Sequence, residues 1–187
     1  MVSKTKSCIF ISGRGSNLKS IIKSSRDYYF PIKIELIISN NINAKGLDFA
    51  KKYNIPFKFI AYDNQGKFER NSLYEIKKRK IKFICLAGFM KIFSGNFIRN
   101  FGHQIINIHP SLLPKFKGLN THKRVLKSKA KYSGCTVHFV EPKLDSGKII
   151  LQKRVLICKD ETENSLKKKI LRQEHKAYPQ SIISIFK

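Results

Sequence analysis

The chain has 187 residues, with 38 Lys or Arg against 12 Asp or Glu and a formal net charge of +26 at pH 7. Hydrophobic residues make up 42%, enough to bury a core without disulfide or metal staples and too many for a disordered chain. No apolar run approaches the roughly 20 residues of a membrane span, and the start MVSKTKSCIFISG leads from a short apolar run into a glycine loop rather than a cleavage site, so one cytoplasmic domain is expected.

In chain order, the apolar run CIFI at 8–11 meets SGRGSN and then LKSIIKSS, whose Leu18, Ile21 and Ile22 have helical spacing: strand, glycine turn, helix. IKIELIIS at 32–39 reads as a second buried strand, followed by the helix-like NAKGLDFAKKY. Residues 57–61 predict a short strand, 66–80 a helix, 83–88 a buried strand, 94–101 a short helix and 104–108 another strand. SGCTVHFV at 133–140 and GKIILQKRVLI at 147–157 alternate like strands that extend the same sheet. A last helix starts near DETENSL, capped by Asp160 or Thr162, with a kink or break at Pro179. Strand and helix alternating in this way predict a Rossmann-like α/β fold, a mostly parallel open sheet with helices on both faces.

The charge alone would point to a nucleic-acid partner, but lysines are spread from end to end, and KKRK at 77–80 and KKK at 167–169 fall on predicted helices as solvated faces. Phe and Tyr sit mostly in strand-like runs rather than among the basic residues, so no nucleic acid is expected as partner. The positive surface is instead expected to concentrate small anions. Cys8, Cys85, Cys135 and Cys158 lie far apart, each in an apolar run, without C-x-x-C pairs; they are expected to be reduced core thiols, and no metal site is expected.

SGRGSN opens a helix directly after a strand, where unpaired backbone N–H groups and the helix dipole favour an anion. Gly13 and Gly15 permit tight turning, and Ser16 or Asn17 can cap the helix or donate to a phosphate oxygen. An ordinary strand-to-helix turn explains the loop equally well. At 107–114 the chain reads NIHPSLLP. Pro110 biases the residue before it toward extended backbone, so His109 is held at the end of the run HQIINI, and Asn107, two positions earlier, faces the same way. The blander alternative is a histidine that bonds a loop carbonyl, and the pattern by itself does not decide.

SGRGSN at 12–17, LAGFMKIF at 86–93, NIHPSLLPKFKG at 107–118, THK at 121–123, GCTVHFV at 134–140, DSGKIILQ at 145–152 and QEHKAYP at 173–179 together resemble the glycinamide ribonucleotide formyltransferase family, in order and over nearly the whole chain. The resemblance implies transfer of a formyl group from 10-formyltetrahydrofolate, as co-substrate, to the glycine amine of glycinamide ribonucleotide in purine synthesis. It puts the catalytic triad on Asn107, His109 and Asp145, the nucleotide phosphate on Gly15, Ser16 and Asn17, and the ribose on Glu174. It puts the folate against Met90, Lys91, Ile92 and Phe93, beside Asn107 and the loop of Glu141 and Leu144. It also implies one domain over 1–187, with a phosphate-binding half at about 1–105 and a folate and catalytic half at about 106–187. Lys91 stands where many relatives have Arg, keeping the charge without the planar fork, and the basic residue that relatives turn toward the folate tail has no clear counterpart between Gln65 and Arg70. His138, alternating with core residues, and His103, His122 and His175 are expected to be structural or solvent-facing.

Other folate formyltransferases and deformylases share the N-x-H and Asp core. Methionyl-tRNA formyltransferase carries a further RNA-binding domain and the deformylase a regulatory one, and 187 residues are expected to leave no room for either. A basic nucleic-acid-binding α/β protein is the alternative from a different class.

Overall fold

Thr5–Ile11 form β1, in which every side chain from Ser7 onward is buried. Both faces are covered: Ile9 and Ile11 pack into one helix-bearing layer, Cys8 and Phe10 into the other. The structure, a computed structural model, describes residues 3–187. The chain continues through α1 (Ser16–Ser25), β2 (Ile32–Ser39), α2 (Gly46–Lys52) and β3 (Phe57–Phe59), stepping outward on one side of β1. Helix α3 (Gln65–Lys78) then crosses back, and β4 (Phe83–Leu86), α4 (Gly95–Phe101) and β5 (Gln104–His109) build the other side. After α5 (Thr121–Lys127), β6 (Tyr132–Phe139) and β7 (Ile149–Leu156) complete the sheet, and α6 (Glu163–Ile185) closes the chain.

The sheet has seven strands in the order β3-β2-β1-β4-β5-β6-β7. β1 to β5 are parallel, while β6 and β7 are antiparallel additions. The fold is thus the mostly parallel open α/β sheet expected. Strand order reverses between β1 and β4, and in open α/β sheets the crevice beyond the strand carboxyl ends at such a reversal receives ligands.

Three local expectations need correction. Helix α5 was not among the predicted elements; its seven residues bury just Thr121 and Val125, too short a stretch for a period to show. Cys158 is exposed rather than in the core, whereas Cys8, Cys85 and Cys135 are buried. Helix α6 runs without a break through Pro179. Proline cannot donate to the carbonyl four residues back, which is that of His175, and Ser20 Oγ in α1 donates to this oxygen instead at 2.6 Å. The cap of α6 is Thr162, whose Oγ1 accepts from Ser165 N while Ser165 Oγ accepts from Thr162 N.

Candidate active site

Asn107 and His109 end β5, and the antiparallel register sets Asn107 opposite His138 and His109 opposite Thr136 on β6. Asp145, in the loop after β6, is buried with a left-handed backbone (φ 46°), and its carboxylate comes back over the strand ends. His109 Nδ1 lies 3.3 Å from Asp145 Oδ2, and both side chains are almost wholly out of solvent. His109 Nε2 lies 2.8 Å from the Phe116 carbonyl. Both ring nitrogens therefore face oxygen acceptors, and the ring meets both with N–H only as the imidazolium. Asp145 Oδ2 also accepts from Gly118 N at 2.8 Å, which aims the carboxylate.

His138, read from its alternation as a core-facing strand residue, is buried in β6 and also belongs to this cluster. Its Nδ1 is 2.8 Å from the Phe139 carbonyl and so carries the proton, leaving Nε2 to accept from Asn107 Nδ2 at 3.4 Å. Burial pushes the His138 imidazole below its ordinary 6.5, against the pull of the Phe139 carbonyl and of Asp145, whose Oδ1 lies 3.7 Å from Nε2. A neutral His138 thus fixes which end of the Asn107 amide donates toward it. The signal missing from the sequence was register: β5 and β6 are joined by a long connection, so nothing local pairs 107 with 138.

The glycine loop lies two strands away. Phe10 pairs with Leu86, and Leu86 with Asn107, so about two strand spacings, roughly 10 Å, separate β1 from β5 at this level. Ser12 joins the loop to its neighbour: its backbone N–H donates to Gly88 O at 3.1 Å, and its hydroxyl accepts from Met90 N at 2.9 Å and donates to Asn40 Oδ1 at 2.6 Å. This linkage was not visible in the sequence, where Ser12 counted only as part of the glycine loop. Gly15 has φ 69° and caps α1 without any side-chain cap, so neither Ser16 nor Asn17 is the cap. A Cβ on Gly15 would stand 2.5 Å from the Gly46 Cα, which is why the loop needs glycine there. The Asn17 carboxamide is not turned to the loop mouth; it is buried and donates to Glu174 Oε2 at 2.7 Å. Burial raises the Glu174 carboxyl above its ordinary 4.5, against the Asn17 bond. At this loop a phosphate would meet the backbone N–H groups of the first turn and the Ser16 hydroxyl.

Across the sheet, residues 88–93 form a rim. Met90 is 64% and Ile92 55% exposed, Lys91 lies over the Tyr62 ring at 4.6 Å, and Leu144 and Glu141 are exposed on the facing loop. Phe93 differs: its ring is buried, stacked on Phe97 at 3.9 Å, so it anchors the rim and offers a ligand no side-chain surface. His103 is exposed, and His122 and His175 are partly buried with their imidazoles pushed below 6.5 by burial. Among the described residues no cluster of His, Cys, Asp and Glu has metal-holding geometry, and no helix is long and apolar enough to cross a membrane.

A sequence profile described as formyl transferase matches residues 5–182. The chain belongs to the formyl transferase family. Within this family it is 35% identical to a phosphoribosylglycinamide formyltransferase of Escherichia coli, over 91% of this chain and 82% of that protein. It is 38% identical to a human trifunctional purine biosynthetic protein, adenosine-3, over 96% of this chain; there it spans 18% of the relative's length. Among solved structures, a phosphoribosylglycinamide formyltransferase from Brucella melitensis superposes with a TM-score of 0.93 at 35% identity, covering 98% of this chain and 96% of that one. The family fold thus extends over both parallel and antiparallel parts of the sheet.

Proposed function

We propose that this formyl transferase passes the formyl group of 10-formyltetrahydrofolate to the glycine amine of glycinamide ribonucleotide, in purine synthesis. The carrying observation is that His109 meets Asp145 at the carboxyl end of β5, with Asn107 two residues earlier on that strand and linked to Asp145 through His138, about two strand spacings, roughly 10 Å, from the strand that leads into the glycine loop. In this reading the ribonucleotide phosphate lies on Gly15, Ser16 and the amide N–H of Asn17. Glu174 accepts from the ribose hydroxyls, and the folate ring lies between the 90–93 rim and the loop of Glu141 and Leu144. Its substrates are small molecules and its setting the cytoplasm. The chain works as one domain over 1–187, its first 105 residues or so serving mainly the phosphate and the rest the folate and the chemistry.

Attack of the amine lone pair on the formyl carbon breaks the carbonyl π bond and puts negative charge on oxygen. Asn107, its amide oriented by His138, and a protonated His109 supply donors for that charge. Asp145 stabilises the imidazolium and holds its orientation. The amine then loses a proton, the folate nitrogen gains one, and the oxyanion re-forms the carbonyl as the carbon–nitrogen bond to the folate breaks. His109 or a water held by Asp145 carries the proton. Neither step needs a covalent enzyme intermediate.

The test is transfer of labelled formyl from 10-formyltetrahydrofolate to the ribonucleotide. Stoichiometric formyl-ribonucleotide and tetrahydrofolate support the reading. Release of formate without transfer would make the chain a hydrolase, and tight RNA binding without transfer would move it to a different class.

A further inference from the structure

We infer that Arg124 is a positioning residue for the catalytic pair, acting through the 116–119 loop; the inference rests on the proposed triad. The guanidinium projects from α5 and bonds three carbonyls of this loop. Nε donates to Leu119 O at 3.0 Å, Nη2 donates to Phe116 O at 3.1 Å, and Nη2 also donates to Lys117 O. The loop is the shared support of both catalytic groups, since Phe116 O receives His109 Nε2–H and Gly118 N–H is given to Asp145.

This loop needs holding. Phe116 (φ 58°) and Asn120 (φ 54°) are left-handed without being glycine, and Gly118 between them is left-handed too (φ 76°). A bulky phenylalanine in that region is disfavoured by its own Cβ and persists where surrounding contacts over-determine it. Three bonds from one planar, permanently charged fork to three carbonyls are such a constraint, and they orient the loop carbonyls toward α5. Arg124 also shares the Phe116 oxygen with the catalytic imidazole. When His109 turns its Nε2–H to a developing oxyanion, Phe116 O keeps a donor, so the exchange leaves no buried carbonyl unpaired. Lysine has one point charge and three rotatable protons, and it can hold only part of this arrangement.

The experiment compares Arg124→Ala and Arg124→Lys with the parent by steady-state kinetics and by imidazole NMR of the unliganded protein. Arg124→Ala is expected to lower kcat about tenfold to a hundredfold through misplacement of the pair, with both KM values within about twofold of the parent. Arg124→Lys should recover part of kcat. In the free protein the exchange-protected His109 Nε2 proton should be lost in Arg124→Ala. That readout needs no substrate, so a parent without formyl transfer would sink the proposed function while leaving the clamp under test. An unchanged kcat with an unchanged imidazole proton, or KM values that rise as steeply as kcat falls, overturns the inference. Should Arg124→Ala fail to fold, Arg124→Lys carries both readouts.

Discussion

Replacing Asp145 by Asn isolates a charge with little else disturbed. Asn tolerates the left-handed backbone at φ 46° as well as Asp does, and its amide oxygen still accepts from Gly118 N. What is lost is the attraction between the carboxylate and a protonated His109, 3.3 Å away with side chains 7% and 5% exposed. At an effective dielectric of about 20, a unit pair at that distance is worth about 5 kcal/mol. The carboxylate is shared with Gly118 N–H and His138, so we expect about 3 kcal/mol to reach the transition state, a fall in kcat of roughly a hundredfold. KM for either substrate should change little, and the melting temperature should fall, because the buried imidazole loses its counter-charge. Steady-state formyl transfer beside thermal melting decides the matter. A folded Asp145→Asn protein with kcat within about threefold of the parent would refute the assigned use of the charge.

Glu174→Gln should separate stability from binding. The folded carboxyl is raised above its ordinary 4.5, so between that value and the raised one the folded chain holds a proton that the unfolded chain has lost. Stability from this group is therefore greatest at acid pH and falls as pH rises through the folded value. The melting-temperature advantage of Glu174→Gln over the parent should grow from about pH 5 toward neutrality, while KM for the ribonucleotide rises; a pH-independent difference would contradict the account. Gly15→Ala must both hold φ 69° and push Cβ away from the Gly46 Cα at 2.5 Å, costing about 2–3 kcal/mol in denaturant unfolding and weakening ribonucleotide binding. Capture of both anionic substrates should weaken with salt, since the Debye length is about 10 Å at ~0.1 M; kcat/KM unchanged from low to high salt would show that the +26 charge does no steering.

Much of the site is legible in the sequence. Pro110 after His109 and the two-residue spacing to Asn107 speak for a fixed imidazole and a shared face, and β5 ends on these residues. SGRGSN announces a tight turn, and Gly15 meets Gly46 closely enough to exclude any side chain. Local pattern misleads at Asn17, which it offers as a free donor, because the burial of its carboxamide depends on a partner elsewhere in the chain.

What the sequence determined by itself was the alternation of strands and helices and the inventory of reactive groups, because periodicity, glycine and proline act within a few residues of backbone. Only the tertiary structure decided how those groups are used. Asn17 meets Glu174 across 157 positions, His138 meets Asn107 across 31, and Ser20 supplies across 155 the donor that lets α6 pass through Pro179. These partnerships follow from strand register and helix packing, which depend on the summed burial of the whole core and leave no local mark at either residue.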